Sequence, residues 1–367
     1  MNSHKKTFLI TVTLFLFLVC SGKDNIVILG DSSNTHLLID LKGGAIVSFK
    51  LTTYAHNPFS WNAFNTELPE NNRSGFPYQG HFLCLGRWGA PTTGEMKAGV
   101  PHNGQAGNRS WDVDALVKDS LLVIRSVAPL DGIMAERKIA FDKLNAVFEV
   151  TERIQSTISI GRPFNIVQHV TIGPPFLSKS TIIDSNAKNG FMQYLSYPDP
   201  HVYEYNWPLA IKDSSRATID LTRTDVAENY VSTHLFNDDF GWITASSPES
   251  EILIGYIWKT DEYPWLNLWH DMKDGKPWAK GLEFGTTGIG RSYQDLLAVD
   301  TRFHGENSFF YLDALETVEK SFICFQVKIP KDYKGVKEIT TEEGKIILVE
   351  KGTGKPRKTV IKNLFSR

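Results

Sequence analysis

The sequence is poor in the signals that mark most function classes. It holds three cysteines in 367 residues, too few and too scattered for the disulfide framework of a small secreted scaffold. Its formal charge is −2, so it has no excess charge to draw nucleic acid or an anionic membrane surface as a partner. No Cys-x-x-Cys or His-Glu-x-x-His spacing occurs, and on that ground no metal site is expected. Gly285-Thr286-Thr287-Gly288-Ile289-Gly290 has the wrong spacing for a dinucleotide loop, and Gly352-Thr353-Gly354-Lys355 the wrong spacing for a phosphate loop. Asp271-Met272-Lys273-Asp274-Gly275 lacks the alternate oxygen ligands of a calcium loop. There is no Gly-x-Ser-x-Gly nucleophile elbow. Past the first residues no apolar run approaches the roughly 20 residues of a membrane-spanning helix, and no long stretch has helical periodicity with caps.

What is present points to an exported sheet protein. Hydrophobic residues make up 41% of the chain, enough for a large core, and 28 Gly and 17 Pro supply the turns that many short strands need. Lys5 and Lys6 precede the apolar run Phe8 to Val19, which reads as an export signal over residues 1–22. Two endings stand: a bacterial lipoprotein signal ending before Cys20, which would become a lipid anchor, or a cut after Cys20-Ser21-Gly22. The mature chain is expected in the periplasm or tethered to the outer membrane of a bacterium. Residues 23–350 read as one domain and 351–367, with Lys355, Arg357, Lys358, Lys362 and Arg367, as a basic, solvated tail. Cys84 and Cys324 sit in apolar surroundings and read as buried free thiols, with a disulfide as the alternative.

Short apolar or alternating runs recur between turn residues, the pattern of strands. They are Asn25 to Leu29, His36 to Leu41, Ala45 to Leu51, Leu121 to Val127, Lys138 to Phe141, Ala146 to Ile154, Ile166 to Ile172, Gly241 to Ala245, Ile252 to Trp258 and Ser321 to Ile329. Lys42-Gly43-Gly44 supplies a tight turn between the second and third. Residues 55–80 and 185–210 read as long loops, which in a compact domain are often functional.

Three segments combine titratable residues with Gly, Pro and Trp. The first runs Gly80-His81-Phe82-Leu83-Cys84-Leu85-Gly86-Arg87-Trp88-Gly89, continues with Pro101-His102-Asn103-Gly104 and ends at Trp111. The second is Gln168-His169-Val170-Thr171-Ile172-Gly173-Pro174-Pro175-Phe176. The third is Gly281-Leu282-Glu283-Phe284-Gly285-Thr286. Each sets a His or Glu where a strand gives way to Gly or Pro, the kind of rim at which sites form. Singly, such a His is more often a structural hydrogen-bond partner, such a Glu a solvated face, and Arg87 beside Trp88 a stacked surface pair.

In their order these segments resemble the galactose-mutarotase (aldose 1-epimerase) superfamily, in one of its divergent branches. His36-Leu37-Leu38-Ile39-Asp40-Leu41-Lys42-Gly43-Gly44-Ala45-Ile46-Val47 is similar to that family's first hairpin. Pro101-His102-Asn103-Gly104 resembles its His-Gly segment, with Asn103 interposed. His169-Val170-Thr171 resembles the strand of its general-acid His, and Glu283 its late general base. Two departures stand out: Phe284-Gly285-Thr286-Thr287-Gly288 replaces the family's Gln and Pro-Asp-Ala, and its further sugar-binding Asp has only Asp238 and Asp239 as candidates by position. The resemblance implies an all-β supersandwich of two large antiparallel sheets with a cleft for a sugar or glycan end. It implies that Glu283 removes the anomeric hydroxyl proton, His169 protonates the ring oxygen and His102 bonds the oxygen that gathers charge. No redox change occurs, so no cofactor is expected. Arg87 is a candidate for contacts to sugar hydroxyls, with Trp88, Trp269 or Trp265 as stacking surface. Two alternatives remain: a non-catalytic carbohydrate-binding accessory protein on the same sandwich, and a glycosidase or lyase pairing Glu283 with Glu95 or Asp271.

Overall fold

The computed structural model describes residues 25–63, 78–352, 354, 356–363 and 365. The expected export segment with Cys20, and most of the 55–80 loop, lie outside the described residues.

Two large antiparallel sheets pack face to face. The ten-stranded sheet runs, edge to edge, Ile26–Gly30, His36–Asp40, Ala45–Lys50, His81–Leu85, Ile166–Ile172, Lys276–Gly285, Trp265–Lys273, Tyr230–Leu235, Asn189–Met192 and Tyr205–Asn206. The eight-stranded sheet runs Ile182–Ser185, Phe240–Ser247, Ile252–Lys259, Thr317–Lys328, Val147–Ser156, Ile133–Asp142, Leu121–Ala128 and Asp112–Val117. Every strand expected from the alternation is present, several extended at their ends. Asp112–Val117, Tyr230–Leu235, Trp265–Lys273, His81–Leu85 and Lys276–Gly285 were not anticipated; the last two are central and largely buried, so the alternation that betrays a half-buried strand is missing there. The stretch 185–210 holds the last two short strands of the ten-stranded sheet and the helical turn Gln193–Ser196.

Between the sheets, Leu83, Val170, Leu282 and Phe284 of one meet Ile139, Val150, Ile254 and Phe322 of the other in a continuous core. Trp258 stacks on Phe284 at 4.3 Å between ring centres. A polar network crosses this core. Arg137 donates to Glu152 (2.8 Å), to the carbonyl of Gly44 (2.6 Å) and to Gln168 (3.2 Å), and Gln168 donates to Glu152 (2.7 Å). His81 and Tyr256 extend it. Every charged member has a partner, the condition under which a buried network fixes geometry rather than weakening the core.

The outer face of the eight-stranded sheet is covered by a small third sheet, Val336–Glu342, Lys345–Glu350 and Lys358–Lys362, whose Ile346, Leu348 and Ile361 pack on Trp242, Leu253 and Phe325. Its last strand falls in the stretch expected to be a solvated tail. Cys84 and Cys324 are both free and buried, in different apolar clusters. Among the described residues no helix is long and apolar enough to cross a membrane.

Candidate active site

The ten-stranded sheet presents its outer face to a cleft of about 410 Å³. Strand register decides which side chains stand there. Pairing Gln168 with Phe284 and Thr171 with Gly281 sets His169 directly opposite Glu283. The neighbouring ladders set Phe82 beside His169 and Asn267 beside Glu283. One row across the sheet therefore reads Phe82, His169, Glu283, Asn267, and Thr233 follows by its pairing with Asn267. The adjacent row holds Thr171, Gly281, Trp269 and Val231. Because successive residues alternate faces, Gln168 and Phe284 point the other way, into the core.

At the centre, His169 Nε2 lies 3.1 Å from Glu283 Oε1. His169 Nδ1 is 3.0 Å from the Thr171 hydroxyl, and the ring stacks on Phe82 at 4.1 Å. The carboxyl is 1% exposed and the imidazole 9%. Burial pushes the Glu283 pKa well above the ordinary carboxylate range, against which the Trp88 side chain acts. Burial also pulls His169 down to about 3, helped by nearby His102. Both directions favour the uncharged forms, a protonated carboxyl beside a neutral imidazole. Glu283 Oε2 makes no hydrogen bond of ordinary geometry even though Trp88 is close enough to act on its ionisation.

His102 lines the same cleft. Its Nδ1 is buried without a partner, its carbonyl accepts from Tyr78 (2.8 Å), and burial followed by the charge of Arg87 lowers its pKa. Trp61, Tyr78, Phe82, Trp88 and Trp269 supply the walls. The indole N–H of Trp61 is likewise buried and unpartnered.

The other expected residues divide. Trp88 and Trp269 line the cleft; Arg87 and Trp265 do not. Arg87, 5% exposed, donates two parallel hydrogen bonds to Glu95 (2.7 and 2.9 Å) and a longer one to Asp131 (3.4 Å). Asp131 in turn accepts from the backbone N–H of Gln105 at 2.5 Å. Arg87 thus clamps the segment that carries Trp88 and His102. Trp265 is fully buried and donates to the carbonyl of Asn307. Asp238 and Asp239 line a different hollow, against the third sheet. Glu95 is held by Arg87, and Asp271 lies farther along its strand, outside the cleft.

Two residues escaped the sequence reading. Asn103 adopts a left-handed φ of 60°, accepts from the Gly89 N–H through Oδ1 (2.7 Å) and donates its own N–H to the Gly89 carbonyl (3.0 Å). It staples the two halves of the first segment; Asn before Gly is the signal that could have revealed it. Gln193 bridges Thr233 and the backbone of Gly288 and Gly290. Nothing in its sequence context marks it.

No protein-family profile and no curated protein matches the sequence. Solved structures do match. A galactose mutarotase related enzyme from Lactobacillus acidophilus superposes with a TM-score of 0.58 at 10% identity, over 83% of this chain and 98% of that one. A galactose mutarotase-like protein from Clostridium acetobutylicum gives 0.56 at 14% identity, over 84% and 100%. The fold is galactose mutarotase-like. Identities this low establish architecture alone, and function rests on the site. Within the galactose mutarotase-like fold, the ten-stranded sheet carries the cleft and the eight-stranded sheet backs it.

Proposed function

We propose that the chain is an aldose 1-epimerase-like enzyme that interconverts the anomers of a sugar or glycan end by acid–base catalysis. One observation carries the reading. Glu283, His102 and Trp61, each with one buried side-chain atom that makes no hydrogen bond (Oε2, Nδ1 and Nε1), line with His169 a single aromatic-walled cleft. Buried polar atoms are normally satisfied. Three orphans around one cleft suit a ligand that is polar at its rim and apolar on its faces, as a pyranose is.

Anomerisation moves two protons on oxygens bonded to the same carbon. Ring opening starts from the ionised form of the pair. The Glu283 carboxylate takes the anomeric hydroxyl proton while His169, as imidazolium, gives the Nε2 proton to the ring oxygen. The C1–O5 bond breaks, the aldehyde turns its other face, and the steps reverse. The pair carries one proton throughout. In the imidazolium, Nδ1–H donates to the Thr171 hydroxyl, and Trp88 favours the carboxylate. The Trp88 contact therefore assists the ionised form from which opening begins, while the Thr171 bond holds the ring in place in both forms. Positioned acid and base groups each contribute roughly 10²–10⁴ in rate. Among the described residues lining the cleft Glu283 is the one carboxylate, which counts against a two-carboxylate glycosidase there.

The test is NMR exchange spectroscopy on free hexoses, pentoses and deoxysugars with wild type and Glu283→Gln. Acceleration lost in the variant is expected. Sugar-dependent line broadening without acceleration, persisting in the variant, would overturn catalysis in favour of a binding protein.

A further inference from the structure

Away from the cleft, two loops that are far apart in sequence bring together His201, Glu204 and His304. We propose that these three side chains bind a divalent transition-metal ion, with zinc the best match to the ligand set. One potential ligand atom from each residue lies within 4.8 Å of the others. His304 Nε2 is 2.6 Å from Glu204 Oε1, and His201 Nδ1 is 3.4 Å from Glu204 Oε2. Two imidazoles and a carboxylate are a three-residue zinc set that leaves a coordination position open. Imidazole also suits copper and nickel, whereas calcium and magnesium prefer oxygen alone.

The surroundings support the ligands. Both rings pack against Phe303, with centres 5.1 and 4.6 Å away, and Phe303 is fully buried. His304 is held at a φ of 48°, a left-handed conformation uncommon outside glycine. The paired Phe303–Glu306 bridge fixes it. Asn189 donates to Glu204 Oε1 at 2.8 Å, the outer hydrogen bond that orients a metal-binding carboxylate. The neighbouring cation Arg302 is occupied by Asp300. An exposed His–Glu pair adds little stability, a weak reason for two loops to converge in this way. The sequence expectation of no metal rested on the absence of Cys-x-x-Cys and His-Glu-x-x-His; here His201 and Glu204 are three residues apart and the third ligand comes from a distant loop.

A metal here would act on the cleft's surroundings. Pro200, next to His201, lines a side pocket of about 250 Å³ that shares Gln193 and Gly290 with the cleft. The ion would tie the loop behind that wall to the loop carrying Phe303.

The test is zinc titration by calorimetry on the full chain, purified without a polyhistidine tag, with cobalt absorption as a second readout. One zinc per chain is expected, with visible bands from bound cobalt. Affinity should fall by about 10-fold in Asn189→Ala and by more than about 100-fold in His304→Ala. Thermal scans without metal check that the variants are folded. The proposal is overturned if wild type takes up no zinc, or if His304→Ala and Glu204→Gln bind it as tightly as wild type. Wild type giving no cobalt bands at one equivalent also overturns it, whatever the variants do.

Discussion

Replacing Glu283 by glutamine should stabilise the protein at neutral pH, and the gain should grow with pH. The carboxyl is 1% exposed, one of its oxygens has no hydrogen bond, and burial pushes its pKa well up. An unfolded chain releases this proton near pH 4.3. The folded chain keeps it to higher pH. Below about pH 4.3 both states are protonated and the group costs nothing. Above that, wild type loses stability at up to about 1.4 kcal/mol per pH unit until the folded carboxyl ionises. His169 works in the opposite sense: its folded pKa of about 3 makes its penalty grow as pH falls below the ordinary imidazole range. Both proteins share that term, so their difference isolates the carboxyl. Release of the pair's proton to solvent caps the loss, because transfer to His169 within the pair leaves the proton count unchanged. The cost of one unsatisfied buried polar group, about 1–3 kcal/mol, sets the scale. At about 2–4 °C per kcal/mol for a large domain, the variant should melt roughly 2–12 °C higher at pH 7 and with little difference at pH 4.5. Circular dichroism melts across that range measure it. A gap that does not change with pH, or a glutamine variant less stable at pH 7, would refute the reasoning and show Glu283 settled as an ion.

Three further outcomes follow from the same geometry. Arg87→Met should lower stability by about 3 kcal/mol, because it leaves the buried Asp131 unpaired, and should affect the reaction through displaced Trp88 and His102 rather than through a lost sugar contact; melts and KM against kcat check this. In Gly281→Ala the new Cβ would meet Glu283 Oε1 at 2.5 Å and Trp269 Cβ at 3.0 Å, so exchange rates should drop by about 10²-fold for a shift near 1 Å while the fold persists. The pH–rate profile should lose activity on the alkaline side, as the pair's one proton leaves the raised carboxyl, and should hold activity on the acid side until a second proton enters the pair toward the His169 value of about 3.

The half-buried strands were legible because one face meets the core and the other meets water or polar neighbours. In Val147–Ser156 the buried and partly exposed positions alternate along most of the strand. Two central strands were not legible, although Ile166–Ile172, equally buried, was read from its apolar run. His81–Leu85 is buried at every position, and Lys276–Gly285 carries Lys280 and Glu283 inside, so periodicity and composition both mislead there. Site residues were legible only through the order of three segments. Arg87 shows the limit of that method: a guanidinium beside a cleft tryptophan reads as a ligand contact until its bonds to Glu95 and Asp131 are seen.

Alternation also explains why chemistry and rigidity meet at this point of the sheet. On Ile166–Ile172, His169 faces the cleft while its neighbour Gln168 faces the Arg137–Glu152 network. On His81–Leu85, Phe82 stacks on His169 while His81 bonds Gln168. On Lys276–Gly285, Glu283 faces His169 while Phe284 stacks on Trp258. Each cleft residue thus follows or precedes a residue fixed in the core by a hydrogen bond or a ring stack. A one-residue slip of any of these strands would exchange the two sets, burying the acid–base pair and exposing the network. The contacts that set the register therefore also set the 3.1 Å separation of His169 and Glu283. Two uncharged, buried, mutually bonded groups gain little from proximity on their own account. They are held together by the sheet, in the wall of the cleft.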